Sequence, residues 1–157
     1  MKFIECNDKN IFNQEVDLII NPVNCVGVMG KGLALDFKNR YPENYKAYAL
    51  ACSRNEVKLG NMHIFKNSIF YNSPHPKWII NFPTKHDWRN DSDLKNIDIG
   101  MISLANEIKR MYIKSVSIPA LGCGLGKLNY KDVKRIIKDT FRSYPSDVTI
   151  YLFEPHE

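Results

Sequence analysis

Long apolar segments are missing from this 157-residue sequence. Its longest apolar runs reach about six residues, whereas a membrane-spanning helix needs roughly 20, so a membrane protein is not expected. The first residues lack the apolar stretch of a secretory signal. No Cys-x-x-Cys pair occurs among Cys6, Cys25, Cys52 and Cys123, which argues against a zinc site or a disulfide framework. We therefore expect a cytoplasmic protein with reduced thiols, no metal and no cofactor.

A large charge of one sign is also missing. The 22 Lys and Arg residues exceed the 17 Asp and Glu residues by five, which gives a net charge of +5. This excess permits an anionic partner, such as a nucleotide or a nucleic acid, without requiring one. The sequence contains no repeat and no low-complexity segment, and its length suits one domain over residues 1–157. We expect this domain to be a monomer.

Short apolar runs alternate with helical periodicity along the chain. The runs predict strands at Lys2–Glu5, Val16–Val23, Met62–Phe65, Ser68–Tyr71, Trp78–Phe82, Ser115–Ala120 and Val148–Phe153. The periodic segments predict helices at Leu33–Arg40, Pro42–Cys52, Leu94–Met111 and Val133–Phe141. In the second of these helices we expect Tyr45, Tyr48, Ala49 and Cys52 to be buried. This order predicts an α/β layered sandwich with a largely parallel or mixed sheet.

Two glycine clusters each follow a predicted buried strand and precede a helix. They read NCVGVMGKG at 24–32 and LGCGLGK at 121–127. Glycines let a ligand approach backbone amides closely, and a following helix adds unpaired N–H groups. Such loops meet at the carboxyl ends of parallel strands, where ligands bind. The pair therefore indicates either a clamp for a diphosphate or two tight turns without a ligand, and neither cluster is a P-loop or a G-x-G-x-x-G fingerprint.

A third polar loop, PTKHDWR at 83–89, follows the strand Trp78–Phe82. In a parallel sheet it opens on the same edge as both glycine clusters. Lys85 is then a candidate nucleophile, electrophile or phosphate contact, or only a solvated lysine. Trp88 is either a stacking surface or a cap on the loop. Cys25 and Cys123 have no His partner nearby in sequence, so packing is the favoured role for both.

Several segments resemble the macro domain family. The runs VDLIINPVN at 16–24 and CVGVMGKGLALDFK at 25–38 are similar to the signature of DarG-type antitoxin macro domains. The runs NFPTK at 81–85, PALGCGLG at 119–126 and YLFEP at 151–155 match further segments of that subgroup. The resemblance covers nearly the whole chain, and it implies a three-layer α/β/α fold with a mixed, largely parallel sheet.

The resemblance also implies which residues act. It implies that the domain binds ADP-ribose and hydrolyses ADP-ribose linkages, with Lys85 and Asn24 as the catalytic residues and Asn24 beside the distal ribose. Asn10 and Ile11 fall where the family recognises adenine, although the family has Asp where this sequence has Asn10. The expected phosphate loops are Val28, Met29 and Gly30, and then Gly122, Cys123, Gly124, Leu125 and Gly126. Phe153, or Tyr151 on the same strand, is expected near the adenine.

The substrate remains open between several hypotheses. Human terminal ADP-ribose glycohydrolase pairs its lysine with an Asp where this sequence has Gly126, a departure that DarG-type domains share. This favours removal of ADP-ribose from thymidine in DNA, in single strands, with a cognate ADP-ribosyltransferase toxin as a partner. The alternatives are removal of ADP-ribose from protein glutamate or aspartate, and a non-catalytic module that binds ADP-ribose.

Overall fold

Six strands of the described residues form one mixed sheet. A computed structural model describes residues 1–7, 10–67 and 76–155. The strands are β1 Lys2–Cys6, β2 Leu18–Val23, β3 His63–Lys66, β4 Trp78–Pro83, β5 Ser115–Ile118 and β6 Thr149–Phe153. They are ordered β1-β6-β5-β2-β4-β3, and only β3 runs antiparallel to its neighbour. This confirms the predicted mixed, largely parallel sheet.

Four helices in the described part of the chain cover the sheet. They are α1 Gly32–Arg40, α2 Pro42–Ser53, α3 Leu94–Arg110 and α4 Tyr130–Ser143. Asp93 caps α3 by accepting from the Lys95 N–H at 2.9 Å, and Asn129 caps α4 by accepting from the Lys131 N–H at 2.9 Å. Because Asn129 supplies this cap, α4 begins at Tyr130, three residues before the predicted start.

Both faces of the sheet are apolar, as expected for central parallel strands. Leu18, Ile20 and Ile80 belong to the core cluster that includes residues of α3 and α4. Ile19 and Ile79 point the other way, into the cluster that contains Phe37 of α1. Continuous apolar runs in β2 and β4 therefore serve two cores at once, which is the three-layer α/β/α arrangement.

Some local predictions differ from the structure. The prediction that Tyr45 and Ala49 are buried is wrong, because α2 instead turns Asn44 and Ala51 inward together with Tyr48 and Cys52. A 3-10 turn at Ile11–Asn13 was not predicted. The predicted strand Ser68–Tyr71 lies outside the described residues.

The described residues contain no helix that is long and apolar enough to cross a membrane. Within the same ranges, no group of three or more His, Cys, Asp and Glu side chains could hold a metal ion.

The close contact between α3 and β4 requires a glycine, Gly100, at the point where the helix meets the ring of Phe82. A Cβ on Gly100 would lie 2.5 Å from Cζ of Phe82, which is fully buried. We expect Gly100→Ala to lower the free energy of unfolding by about 1–2 kcal/mol, because overpacking outweighs the higher helix propensity of alanine. Urea denaturation measures this. Asp98→Ala, on the exposed side of the same helix, is the control and should change stability by less than about 0.5 kcal/mol. Equal stabilities of the two variants would contradict the prediction.

Candidate active site

Three loops meet at one edge of the sheet because their strands are parallel. β2 pairs with both β4 and β5, so the segments that follow these strands open on the same side. Together with the end of β6 they enclose a cleft of about 700 Å³. The four strands that end here are consecutive in the sheet, and neighbouring strands lie about 4.8 Å apart, so the cleft spans roughly 14 Å from β6 to β4. This is an elongated site.

The first loop is organised around the buried amide of Asn24. Its Oδ1 accepts hydrogen bonds from the Val26 N–H at 3.0 Å and the Val28 N–H at 3.4 Å, and its Nδ2 donates to the Val28 carbonyl at 2.8 Å. The hydroxyl of Tyr48, from α2, lies 2.8 Å from Oδ1 and 2.9 Å from the Asn24 carbonyl oxygen. Asn24 lines the cleft, and these bonds give it a role in shaping the loop.

The structure separates the expected members of the first phosphate loop. Val28 and Gly30 line the cleft, whereas the Met29 side chain is 1% exposed and packs in the core beside Tyr48. Val28 and Met29 therefore act differently, one at the cleft surface and the other beneath it. The loop leads into the N-terminus of α1, whose residues Gly32 to Ala34 also line the cleft. The first N–H groups of a helix have no partner within it, so this end suits an anion.

The second loop requires glycine at two positions. Gly122 has a φ of +71°, and Gly126 has no room for a side chain. A Cβ on Gly126 would lie 2.5 Å from the Gly122 carbonyl oxygen and would collide with the Ser92 hydroxyl. The Ser92 N–H donates to the Gly126 carbonyl at 3.0 Å, so Ser92 fills the space behind the loop. An Asp at position 126 is therefore excluded by this backbone.

Other members of the second loop differ in where they point. Gly122, Gly124, Leu125 and Gly126 line the cleft, and Leu125 is 60% exposed. Cys123 instead packs against the core, and its Sγ lies 3.5 Å from the carbonyl oxygen of Leu121. Burial raises the pKa of its thiol to about 11, and burial likewise raises that of Cys25 to about 11. Both thiols are therefore protonated near neutral pH, which fits packing rather than nucleophilic chemistry.

Lys85 lies at the β4 end of the cleft, and its backbone is tied to the first loop. The Cys25 N–H donates to the His86 carbonyl at 2.8 Å, and the Thr84 N–H donates to the Val23 carbonyl at 2.9 Å. Burial lowers the pKa of the half-buried Lys85 amine, Asp91 and Asp87 oppose that shift, and Lys127 adds to it. The amine is therefore easier to deprotonate than an ordinary lysine.

The opposite end of the cleft is lined mostly by apolar side chains, with Glu154 as the one carboxylate among the described lining residues. Ile11 and Phe153 line it and belong to one buried cluster, whereas Tyr151 packs in that cluster without lining the cleft. Asn10 caps the 3-10 turn by accepting from the Phe12 N–H at 3.0 Å. Its side chain borders a neighbouring depression, which also includes Ile11, rather than the cleft.

Some residues that shape the site carry no clear signal in the sequence. The helical pattern predicts that Tyr48 is buried but gives it no partner, and no motif distinguishes Lys31, Thr84 or Ser92 as site residues. A buried tyrosine hydroxyl needs a hydrogen-bond partner, which was the available indication for Tyr48. Among the described residues that line the cleft, three side chains are basic and one is acidic. The basic ones are Lys31, Lys85 and Arg89, and the acidic one is Glu154.

Comparisons with known proteins agree with this geometry. A family model described as "Macro domain" matches residues 20–137. A curated protein of Mycobacterium tuberculosis named "DNA ADP-ribosyl glycohydrolase" is 43% identical over 146 residues, which is 93% of this chain and 40% of that protein. The solved macrodomain of Mycobacterium tuberculosis DarG is 42% identical with a TM-score of 0.89, and the match covers 96% of each chain.

A second relative combines two activities in its name. The curated "DNA ADP-ribosyl transferase-DNA ADP-ribosyl glycohydrolase fusion protein" of Thermosipho africanus is 32% identical over 91% of this chain and 40% of its own length. Thermosipho africanus DarTG, solved in complex with ADP-ribose, has 32% identity and a TM-score of 0.85, covering 96% of this chain and 41% of that one. This chain thus spans about 40% of the length of the curated relatives it matches. With its predicted fold confirmed by these matches, the chain belongs to the macro domain family.

Proposed function

We propose that this chain is an ADP-ribosyl glycohydrolase that binds ADP-ribose and releases it from thymidine in DNA. The observation that carries the proposal is the cleft itself, where Lys85 lies at one end and Phe153 at the other, with two glycine loops between them. The name of the Mycobacterium tuberculosis relative supports the activity, and the Thermosipho africanus complex supports the ligand.

Each part of ADP-ribose has a matching part of the cleft. The diphosphate binds the glycine loops and the N-terminus of α1, where backbone N–H groups and Lys31 offset its charge. The adenine occupies the apolar end at Ile11 and Phe153. The distal ribose then reaches the β4 end, between Asn24 and Lys85. Fixing both phosphates places the reacting sugar carbon, C1″, next to the lysine.

Hydrolysis breaks the bond between C1″ and the thymine nitrogen. Water supplies a hydroxyl group to C1″ and a proton to the departing base, so no further reactant is needed. Lys85 assists this departure either by protonating the base or by attacking C1″ as a free amine before water replaces it. The lowered pKa of Lys85 increases the fraction of its neutral amine near neutral pH, while the protonated form stays available as an acid.

The origin of the substrate implies a partner. Modified DNA must be produced by a transferase, and the Thermosipho africanus relative is named as a fusion of a transferase and a glycohydrolase. We therefore propose that a cognate ADP-ribosyltransferase toxin acts upstream of this chain, in the cytoplasm, and that the domain over residues 1–157 acts as a monomer.

The catalytic role of Lys85 is tested with an oligonucleotide that carries ADP-ribose on thymidine. We expect Lys85→Ala to slow release of ADP-ribose by about 100-fold or more, because a positioned acid–base group contributes at least that factor. Its affinity for ADP-ribose, measured by calorimetry, should change only a few-fold. Lys109→Ala is the matched control, since Lys109 is an exposed lysine of α3 outside the cleft, and it should leave both release and affinity unchanged. Equal release by wild type and Lys85→Ala would refute the role of Lys85.

The same assay separates the other hypotheses. A peptide with ADP-ribose on glutamate, run beside the oligonucleotide, reports hydrolysis of protein-linked ADP-ribose. Release from the peptide alone would replace the DNA substrate with a protein substrate. Tight ADP-ribose binding without release from either substrate would identify a binding module.

The hydroxyl of Tyr48 offers a test of how the first loop is held. We expect Tyr48→Phe to lower the free energy of unfolding by about 1–2 kcal/mol, because the buried Asn24 oxygens lose a donor. It should also weaken ADP-ribose binding. Tyr45→Phe is the control, because the Tyr45 hydroxyl makes only a 3.4 Å contact with the Gly27 carbonyl. Denaturation and calorimetry measure the two effects, and unchanged affinity in Tyr48→Phe would count against the loop being held this way.

The charges near Lys85 predict opposite shifts of the pH–rate profile. Asp91 raises the pKa of Lys85 and Lys127 lowers it, and these two side chains form a 3.5 Å ion pair. Asp91→Asn should therefore move the Lys85-dependent limb of the profile to lower pH, whereas Lys127→Met should move it to higher pH. The signs are the same whether Lys85 acts protonated or neutral. Shifts in the same direction would show that another group controls that limb.

A further inference from the structure

One large aromatic side chain at the cleft is left exposed by the fold. Trp88 is 54% exposed and lines the cleft three residues after Lys85. The ADP-ribose contacts proposed above do not use it. A ring at the mouth of a cleft offers a flat apolar surface on which a ligand ring can stack.

The turn that carries Trp88 is held by its own polar groups. The Asp87 carboxylate accepts from the Arg89 N–H at 3.0 Å and from its guanidinium at 3.0 Å and 2.9 Å. The Asn90 N–H donates to the Asp87 carbonyl at 3.0 Å. These bonds order the turn on both sides of Trp88, so the backbone that presents the indole is already fixed before a ligand binds.

Arg89 supports the ring from the same turn. Its Cζ lies 5.6 Å from the centre of the Trp88 indole, and the two-point contact with Asp87 keeps the guanidinium there. The guanidinium of Arg89 therefore lies beside the indole while being partly neutralised by Asp87. This cation–π contact supports the ring from one side.

The proposed orientation of ADP-ribose in the cleft places the leaving group at the β4 end, where Trp88 follows Lys85 in sequence. The cleft runs from Phe153 at β6 to Lys85 at β4, and C1″ lies at the lysine end in the function proposed above. Whatever is attached to C1″ must continue beyond Lys85, since the other direction is filled by ADP-ribose itself. Trp88 is the exposed aromatic side chain that the described cleft provides at that end.

We propose that Trp88 forms the leaving-group subsite, where its indole stacks on the nucleobase that carries ADP-ribose and so selects DNA over protein. The inference rests on the proposed glycohydrolase function and specifies its substrate class. Aromatic stacking suits any flat base, whereas a glutamate or aspartate side chain has no ring to stack. Trp88 is thus a specificity-determining residue, and Lys85 carries the chemistry for every leaving group.

Binding measured without turnover tests this proposal. In a Lys85→Ala background, Trp88→Ala, Trp88→Phe and Tyr112→Ala are compared, with Tyr112 as a control because it is an exposed aromatic residue outside the cleft. The probes are ADP-ribose, a single-stranded oligonucleotide with ADP-ribose on thymidine, and a peptide with ADP-ribose on glutamate. We expect Trp88→Ala to weaken the oligonucleotide complex about 5- to 150-fold, the range that stacking of one base supplies. Trp88→Phe should keep most of that affinity.

The other probes separate failure of this proposal from failure of the function. Affinity for ADP-ribose and for the peptide should change less than about twofold in every Trp88 variant. Unchanged oligonucleotide affinity in Trp88→Ala would overturn the stacking role, and so would an equal loss for all three probes, which would make Trp88 part of the ADP-ribose site. Failure of the proposed function is a different result, namely no release of ADP-ribose by the protein with Lys85 intact.

Discussion

Parallel pairing of β2 with both β4 and β5 is the constraint on which the site depends. A parallel ladder places the carboxyl ends of its strands at one edge, so the loops after β2, β4 and β5 must meet there. Without this pairing the two glycine loops and Lys85 would be separate features of the chain. With it, they form one cleft, and the strand order determines that Lys85 and Phe153 lie at opposite ends.

Buried polar contacts then give the loops their shape. Tyr48 reaches from α2 to Asn24, and a neighbouring set of amides ties the same helix to the sheet, with Asn44 and Asn81 exchanging hydrogen bonds at 3.2 Å and 2.9 Å. On the other side of the cleft, Ser92 fills the space against Gly126. A buried polar group is costly unless it is paired, so most of these contacts also stabilise one particular arrangement of the loops.

Different parts of the cleft follow from different physical requirements. In the proposed function, backbone amides and a helix N-terminus suit the diphosphate, a largely apolar end suits the adenine ring, and the half-buried Lys85 suits the reacting carbon. The exclusion of a side chain at Gly126 leaves Lys85 without a carboxylate from that position. The charges that act on Lys85 come instead from Asp91, from Asp87 in the same loop, and from Lys127 beside the second glycine loop. The chemistry therefore depends on the way the loops are juxtaposed.

The elements predicted from sequence were those with strong local patterns. The apolar runs of β2 and β4 and the stripe of α3 predicted strand and helix correctly, because period and burial are properties of adjacent residues. The glycine loops and Lys85 were found in the same way, as short segments after apolar runs. The directions of Met29 and Cys123 were not, because neighbouring residues of a loop can face the cleft or the core and sequence does not distinguish them.

The fold class, the two glycine loops and the lysine that follows β4 are predictable from the sequence, since each depends on a continuous run of residues. Three features depend on the tertiary structure: Tyr48 supports Asn24, Ser92 excludes a side chain at Gly126, and Trp88 stands exposed at the cleft. The first two are contacts between segments far apart in the chain, and the third depends on how a turn is oriented against the cleft. Such contacts form only when the strands pair and the loops that follow them pack against one another, and no local sequence pattern encodes them.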